Sequence, residues 1–411
     1  MTTTSAAPAL LSWGFSGWVG ATRRSGDFVM PPELDGVNDA VISINGRKMI
    51  NFAGIGILGW QHDSEVRRVF AETAATYGLV VGGSRLVQGV SRPHQELEAL
   101  VARITGREKA LTFATGLLAN VGFVNAMTAR FSFDDRASVD NTDAVLVLDR
   151  HVHWSVWKGT QGLERGRNLF AFRHNDVAHL RELLETLRGR RVLVGFETVY
   201  SADGTIAPIR EIVELCEEFG AISFADDANG FMVYGNGGHR FADEYEALRR
   251  VTFLMVSFGK GVGLSGGALA GPADALDAFH YMAGTSLFIT NIQSSTAGAI
   301  VHVLRRMTQE PSIMERYLDR VDALRARLTS IGCVINPTPT YITSIPIPTR
   351  DIALRVRTGF LDRGFLVPMF GYPAVKKDLG VIRLMMNDRL ADEHLDAFVD
   401  TLAEFKRTYG F

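Results

Sequence analysis

The chain has 411 residues, 46% of them hydrophobic, and its 43 basic and 45 acidic residues are intermixed to a net charge of −2. That length exceeds one typical core and predicts a large domain plus a smaller one. The balanced charge leaves no electrostatic footprint for nucleic acid or an anionic membrane, so small-molecule chemistry is the expected class.

Residues 9–21 are apolar, but Arg23 and Arg24 follow the run and no basic residue precedes it. This reads as an N-terminal arm rather than a signal peptide. Gly26 to Gly36 joins the arm to the body, and residues 1–60 are assigned to arm and linker. No stretch approaches the about 20 uninterrupted apolar residues of a membrane helix. From about Asp63, helical windows (64–77, 93–105, 176–187, 208–219) alternate with short apolar runs (144–148, 191–196, 221–225, 251–256). The alternation predicts an α/β fold over residues 61–292, with a mostly parallel central sheet, helices on both faces and a ligand at the carboxyl ends of the strands. After Asn291 a long helical pattern runs to about Ser330. Segments of β type near Ile342 and Val381 follow, then an amphipathic helix over 391–409, so residues 293–411 read as a smaller C-terminal α+β domain. Cys216 and Cys333 are too few for a disulfide framework and lie outside any metal-type spacing. A reducing cytoplasm is therefore expected, and no metal site is assigned.

The chemistry is carried by Lys260, in Val256-Ser257-Phe258-Gly259-Lys260-Gly261, and by Asp226-Asp227, which closes the run 221–225. A lysine between glycines can form an imine with an aldehyde, and a strand-end carboxylate can hold a pyridine nitrogen protonated. Together they suggest pyridoxal 5′-phosphate (PLP) and chemistry at an amino acid's α-carbon. Alone, each has an ordinary reading, as a surface-loop lysine and a strand-end acid; their companions add specificity. Ala114-Thr115-Gly116-Leu117-Leu118-Ala119-Asn120 opens a helix after an apolar run, so Thr115, Gly116 and Leu117 are candidates for holding a phosphate. His153, just past the strand ending at Leu148, can stack on the ring, although a capping or packing role suits its spacing equally. Ser257 can reach the phosphate, and Glu197 and Ser201 end another strand, where they can serve the ring's other edge.

Phe172-Arg173-His174-Asn175-Asp176-Val177-Ala178-His179-Leu180 closely resembles the matching region of the α-oxoamine synthases, which include 8-amino-7-oxononanoate synthase and 2-amino-3-ketobutyrate CoA ligase. The likeness runs from about Asn51 to the C-terminus. It includes the glycine-rich segment from Tyr77-Gly78 through Gly82-Gly83-Ser84-Arg85 and the segment Tyr200-Ser201-Ala202-Asp203-Gly204-Thr205 that leads to the aspartate. The resemblance implies a fold type I PLP-dependent transferase, a homodimer that condenses an amino acid with an acyl-CoA. It further implies that Lys260 is the imine lysine, Asp226 the pyridinium partner, His153 the stacking ring and Arg383 the grip on the substrate carboxylate. Thr290 falls where the neighbouring subunit contributes a hydroxyl to the phosphate. His153-Trp154-Ser155-Val156-Trp157-Lys158-Gly159 and residues 382–387 resemble the autoinducer synthases, which make α-amino ketones and can use S-adenosylmethionine (SAM).

Two departures stand out. Where the family has a histidine three residues after its aspartate, this chain has Asn229, which can donate a hydrogen bond but carries no proton near neutral pH. Where the family has Asn-(Asp/Asn)-Tyr-Leu-Gly, it has Ile55-Gly56-Ile57-Leu58-Gly59. The first expectation is therefore carbon–carbon bond formation between an amino acid and an acyl-CoA. The second is β,γ-elimination of SAM and addition of its γ-carbon to a non-thioester electrophile such as the nicotinamide ring of NAD. A third, a binding module without turnover, predicts loss of catalytic positions, and Lys260, Asp226, His153 and Arg383 are all present.

Overall fold

The computed structural model describes residues 12–411 other than 27, 81, 236, 237 and 373. Residues 9–11 of the apolar run, and single positions in the linker 26–36 and the glycine-rich segment, lie outside the described residues. The arm carries a helix, Phe15–Arg24, with no buried residue. A hairpin follows, β1 (Val41–Ile44) and β2 (Arg47–Asn51), closed by Asn45 and Gly46, both at positive φ (50° and 73°). Asn-Gly suits such a two-residue turn because both central residues must tolerate left-handed backbone.

The central sheet contains β3 (Lys109–Phe113), and a separate exposed hairpin follows, β4 (Arg130–Asp134) with β5 (Ala137–Asp140). The other central strands are β6 (Val145–Asp149), β7 (Leu169–Phe172), β8 (Val192–Glu197), β9 (Ile222–Asp226), β10 (Phe253–Ser257) and β11 (Gly267–Gly271). Their spatial order is β3-β11-β10-β9-β8-β6-β7, parallel from β10 to β7, with β11 antiparallel to both of its neighbours. Both faces are buried. Val145 and Val147 of β6 join one hydrophobic cluster, and Leu146 and Leu148 join the other, as the two-residue period of a strand covered on both sides requires. On the second face Phe123, from the helix Gly116–Thr128, stacks on Phe224 of β9 with centroids 4.1 Å apart.

The helical windows and the strands β6, β8, β9 and β10 fall within a few residues of expectation, β7 answers to none of the expected runs, and two further regions differ. The continuous pattern expected from Asn291 to Ser330 is two helices, Ser294–Gln309 and Ser312–Ser330, separated at Glu310-Pro311. Proline lacks the N–H to continue the first helix and sits at the start of the second. Within the stretch read as arm and linker, β2 pairs in parallel with β13 (Phe365–Leu366), tying the N-terminal hairpin to the C-terminal part of the chain. A last sheet joins β12 (Ile342–Ile347), β14 (Met369–Phe370) and β15 (Gly380–Met385) in the order β12-β15-β14. The helices Arg350–Asp362 and Asp392–Tyr409 pack together through Phe360, whose ring stacks on Phe398 at 5.3 Å. No helix among the described residues is long and apolar enough to cross a membrane.

Candidate active site

The carboxyl ends of β8, β9 and β10 converge on a cavity of about 200 Å³. Ten of the twelve residues singled out in the sequence line it: Gly116, Leu117, His153, Glu197, Ser201, Asp226, Asn229, Ser257, Lys260 and Arg383. Thr115 stands one step back as the N-cap of the helix Gly116–Thr128, its hydroxyl accepting the Leu118 N–H at 3.2 Å. Thr290 is exposed and does not line the cavity of this chain.

Asp226 is buried at the end of β9. One carboxylate oxygen accepts the Ala228 N–H at 3.0 Å, and the other accepts Nδ2 of Asn120 at 2.8 Å. Asn120 Nδ2 also donates to Ser155 Oγ at 2.7 Å, and Ser155 Oγ lies 2.7 Å from His153 Nδ1. A polar relay thus joins the acid to the imidazole. Burial raises the Asp226 carboxyl above its ordinary range, opposed by His153, Asn120, the Ala228 N–H and Lys260. Asn120 and Ser155 were not among the candidates. Their signal was their place inside the two motif runs, but only the packing of the Gly116–Thr128 helix over β9 makes them bridges.

Lys260 follows β10 in a loop whose carbonyl accepts the Ile57 N–H at 3.3 Å. Burial lowers its pKa first and the nearby Arg383 lowers it further, against the pull of Asp226 and Glu197. Arg383 reaches in from β15, donating from Nη1 to the Ser201 carbonyl at 2.7 Å and lying 4.3 Å from the centre of the Phe370 ring. Its buried Nε has no partner. Burial lowers its pKa too, yet a guanidinium stays charged.

The residues fit PLP. A helix start whose first N–H groups lack intrahelical partners lies beside Ser257, and a Cβ on Gly116 would come within 3.5 Å of Ser257 Cβ and 3.3 Å of Met255 Sδ, so glycine keeps that cradle open. Asn120 Oδ1 and Arg383 Nε are buried polar atoms without partners around the same cavity. A buried acid, a lysine of lowered pKa and an imidazole complete the donor set.

A second polar cluster lies close by. His151, His174 and Asp203 bring potential metal-ligating atoms within 4.8 Å of one another. The two imidazoles stack at 4.2 Å with planes 20° apart, and His174 already engages Asp149 (3.1 Å) and Thr205 (2.9 Å). Stacked rings direct their in-plane lone pairs nearly parallel rather than toward one ion, so the arrangement suits a structural network.

The model of the aminotransferase class I and II family matches residues 58–402. The chain belongs to that family, among its α-oxoamine synthases. It is a PLP-dependent enzyme of the transferase type. It is 30% identical over 384 residues to the 8-amino-7-oxononanoate synthase of Alcanivorax borkumensis, covering 93% of this chain and 96% of that one. It is 27% identical over 356 residues to 5-aminolevulinate synthase 2 of Cereibacter sphaeroides, covering 86% and 84%. The solved serine palmitoyltransferase of Sphingomonas wittichii superposes with a TM-score of 0.86 at 23% identity, over 98% of this chain and 99% of that one, a likeness of fold.

Proposed function

We propose that this α-oxoamine synthase forms a carbon–carbon bond between the α-carbon of an amino acid and an acyl-CoA-type electrophile. The observation that carries the reading is the convergence of Lys260, Asp226, His153 and Arg383 on one cavity although they come from four separate segments. PLP, when bound, supplies an aldehyde and an electron-accepting ring. The cradle at Gly116 and Leu117, with Ser257, holds its phosphate, and Asp226 opposes the positive charge of its ring nitrogen. Arg383 presents a planar fork to the substrate carboxylate, a geometry suited to a planar anion. Lys260 takes the α-proton at Nζ: burial and Arg383 disfavour its ammonium form, so a neutral amine is accessible nearer neutral pH than for an exposed lysine. His153 is held in orientation by Ser155 at one ring nitrogen.

One observation favours a different second substrate. Ile55 lines a neighbouring cavity of about 430 Å³ beside the Lys260 loop, whose polar side chains are Asn38, Asn51, Gln61, Ser265, Thr296 and Asn387, none of them charged. The amide and hydroxyl groups suit a neutral carboxamide, and the phosphates of CoA or of NAD alike would need cations from outside this cavity. With the resemblance to SAM-using relatives, this supports SAM losing methylthioadenosine and adding through its γ-carbon to an electrophile such as the nicotinamide ring of NAD. A homodimer is part of either reading, with Thr290 meeting the partner's cavity.

Visible absorption of the holoenzyme, titrated separately with small L-amino acids and with SAM, decides between them. A new long-wavelength band with alanine or serine, and product only with acyl-CoA, supports the first. Methylthioadenosine release from SAM without CoA supports the second and removes the first. Lys260→Ala is expected to lose about 10²- to 10⁴-fold in rate, the usual contribution of a positioned acid–base group; turnover at the wild-type rate contradicts both.

A further inference from the structure

Two buried carboxyl groups end neighbouring parallel strands. Glu197 closes β8, Asp226 closes β9, and the two are direct partners in the strand register. Adjacent strands run about 4.8 Å apart, so two carboxylates at this place would repel each other where water is largely excluded, and such a pair retains a proton. The hydrogen bonds decide where it sits. Asp226 accepts at both oxygens, from Asn120 and from the Ala228 N–H. Glu197 accepts at Oε2 alone, from the Ser201 N–H at 3.0 Å and, at the limit of 3.5 Å, from Asn229 Nδ2; its Oε1 is buried without a partner. Both donors to Glu197 are neutral. Asn229 is engaged elsewhere as well, donating to the Val199 carbonyl at 3.2 Å and accepting from the Tyr341 hydroxyl at 3.4 Å.

We infer that Glu197 is the resident proton carrier of this site: a neutral carboxyl with its proton on Oε1, matched to the neutral amide of Asn229, which leaves Asp226 the sole anion lining the cavity. An unpaired oxygen of a buried carboxylate is costly, while a protonated carboxyl in the same place carries no charge to desolvate. The charged groups facing Glu197 divide: burial and the neighbouring acids favour its proton, and the cations Lys260 and Arg383 oppose it. Burial and the charge of Asp226 push it well above the carboxylate range, and Asp149 and Asp203 add in the same sense. The cations Lys260 and Arg383 also feel Glu197, and Tyr200 and Tyr341 are hydroxyls whose own ionisation is suppressed by burial. Glu197 is thus a positioning residue. It orders the Ser201 amide and Asn229 while confining the negative charge to the acid that opposes the ring nitrogen. The inference deepens the reading above, and it rests on that reading only for the identity of the ring.

Infrared difference spectra of the holoenzyme at neutral pH test it. The wild type minus Glu197→Gln difference is expected to show the C=O stretch of a protonated carboxylic acid, shifted in D₂O, with the band of the protonated Asp227 common to both and cancelling. The band is lost in Asn229→His, where an imidazolium lets Glu197 ionise. Should the Gln variant fail to fold, isotope-labelled glutamate shifts this band in the wild type, while labelled aspartate shifts only the separate band of the protonated Asp227. A wild type in which no such band is lost in Glu197→Gln or follows labelled glutamate overturns the assignment. Cofactor content, read from the visible absorbance, is independent of this band, so a colourless protein sinks the PLP reading without touching the proton on Glu197.

Discussion

Asp227 shows how differently adjacent residues are used. Asp226 lines the cavity, whereas Asp227 is buried against the hydroxyls of Thr198 and Tyr245, and burial pushes its carboxyl from 3.8 up to about 8. A folded-state pKa above the unfolded value means that the protonated form is favoured by folding. The resulting stability is fully present below 3.8 and is lost as pH rises through about 8. Asp227→Asn, which keeps the shape and removes the titration, is expected to flatten the fall in thermal midpoint across that window. Parallel pH profiles for wild type and variant would show that the proton is held elsewhere. The acidic pair itself is visible in the sequence, but the division of labour within it is not, because it depends on which acid points along the sheet end and which turns into the packing beneath.

Strands and helices were legible where one periodicity dominated. The windows 64–77 and 208–219 correspond to the helices Ser64–Tyr77 and Ile209–Phe219, and four of the parallel strands were visible as apolar runs. The strand β11 was not, because Gly-Ala-Leu-Ala-Gly has little β preference and owes its place to its neighbours. Its glycines serve close packing: a Cβ on Gly267 would meet the backbone N of Gly116 at 2.7 Å and its Cα at 2.8 Å. Gly267→Ala therefore displaces the helix start at Gly116, the proposed phosphate cradle. With overpacking costing ~1 to 3 kcal/mol, and the same energy set against cofactor binding, the PLP dissociation constant is expected to rise about 5- to 150-fold, as measured by fluorescence titration of the apoenzyme. Unchanged affinity would place the phosphate elsewhere.

At the scale of the whole molecule, Thr290 is an exposed candidate that does not line the cavity of its own chain, whereas Thr115, also outside the lining, caps the helix that does. Light scattering of the holoenzyme is expected to give the mass of a dimer, and a PLP-loaded monomer would remove the cross-subunit role. The sequence by itself determined the cofactor and singled out Lys260 and Asp226 as candidates for the lysine and the acid, since these rest on residue types at local positions and on motifs carried in order along the chain. The tertiary structure alone decided that Asn120 and Ser155 link Asp226 to His153, that Arg383 crosses from the C-terminal sheet to Ser201, and that Glu197 stands in register with Asp226. Those relations depend on strand register and on packing between segments far apart in the chain. No local periodicity encodes them, and they set the charge state of the site.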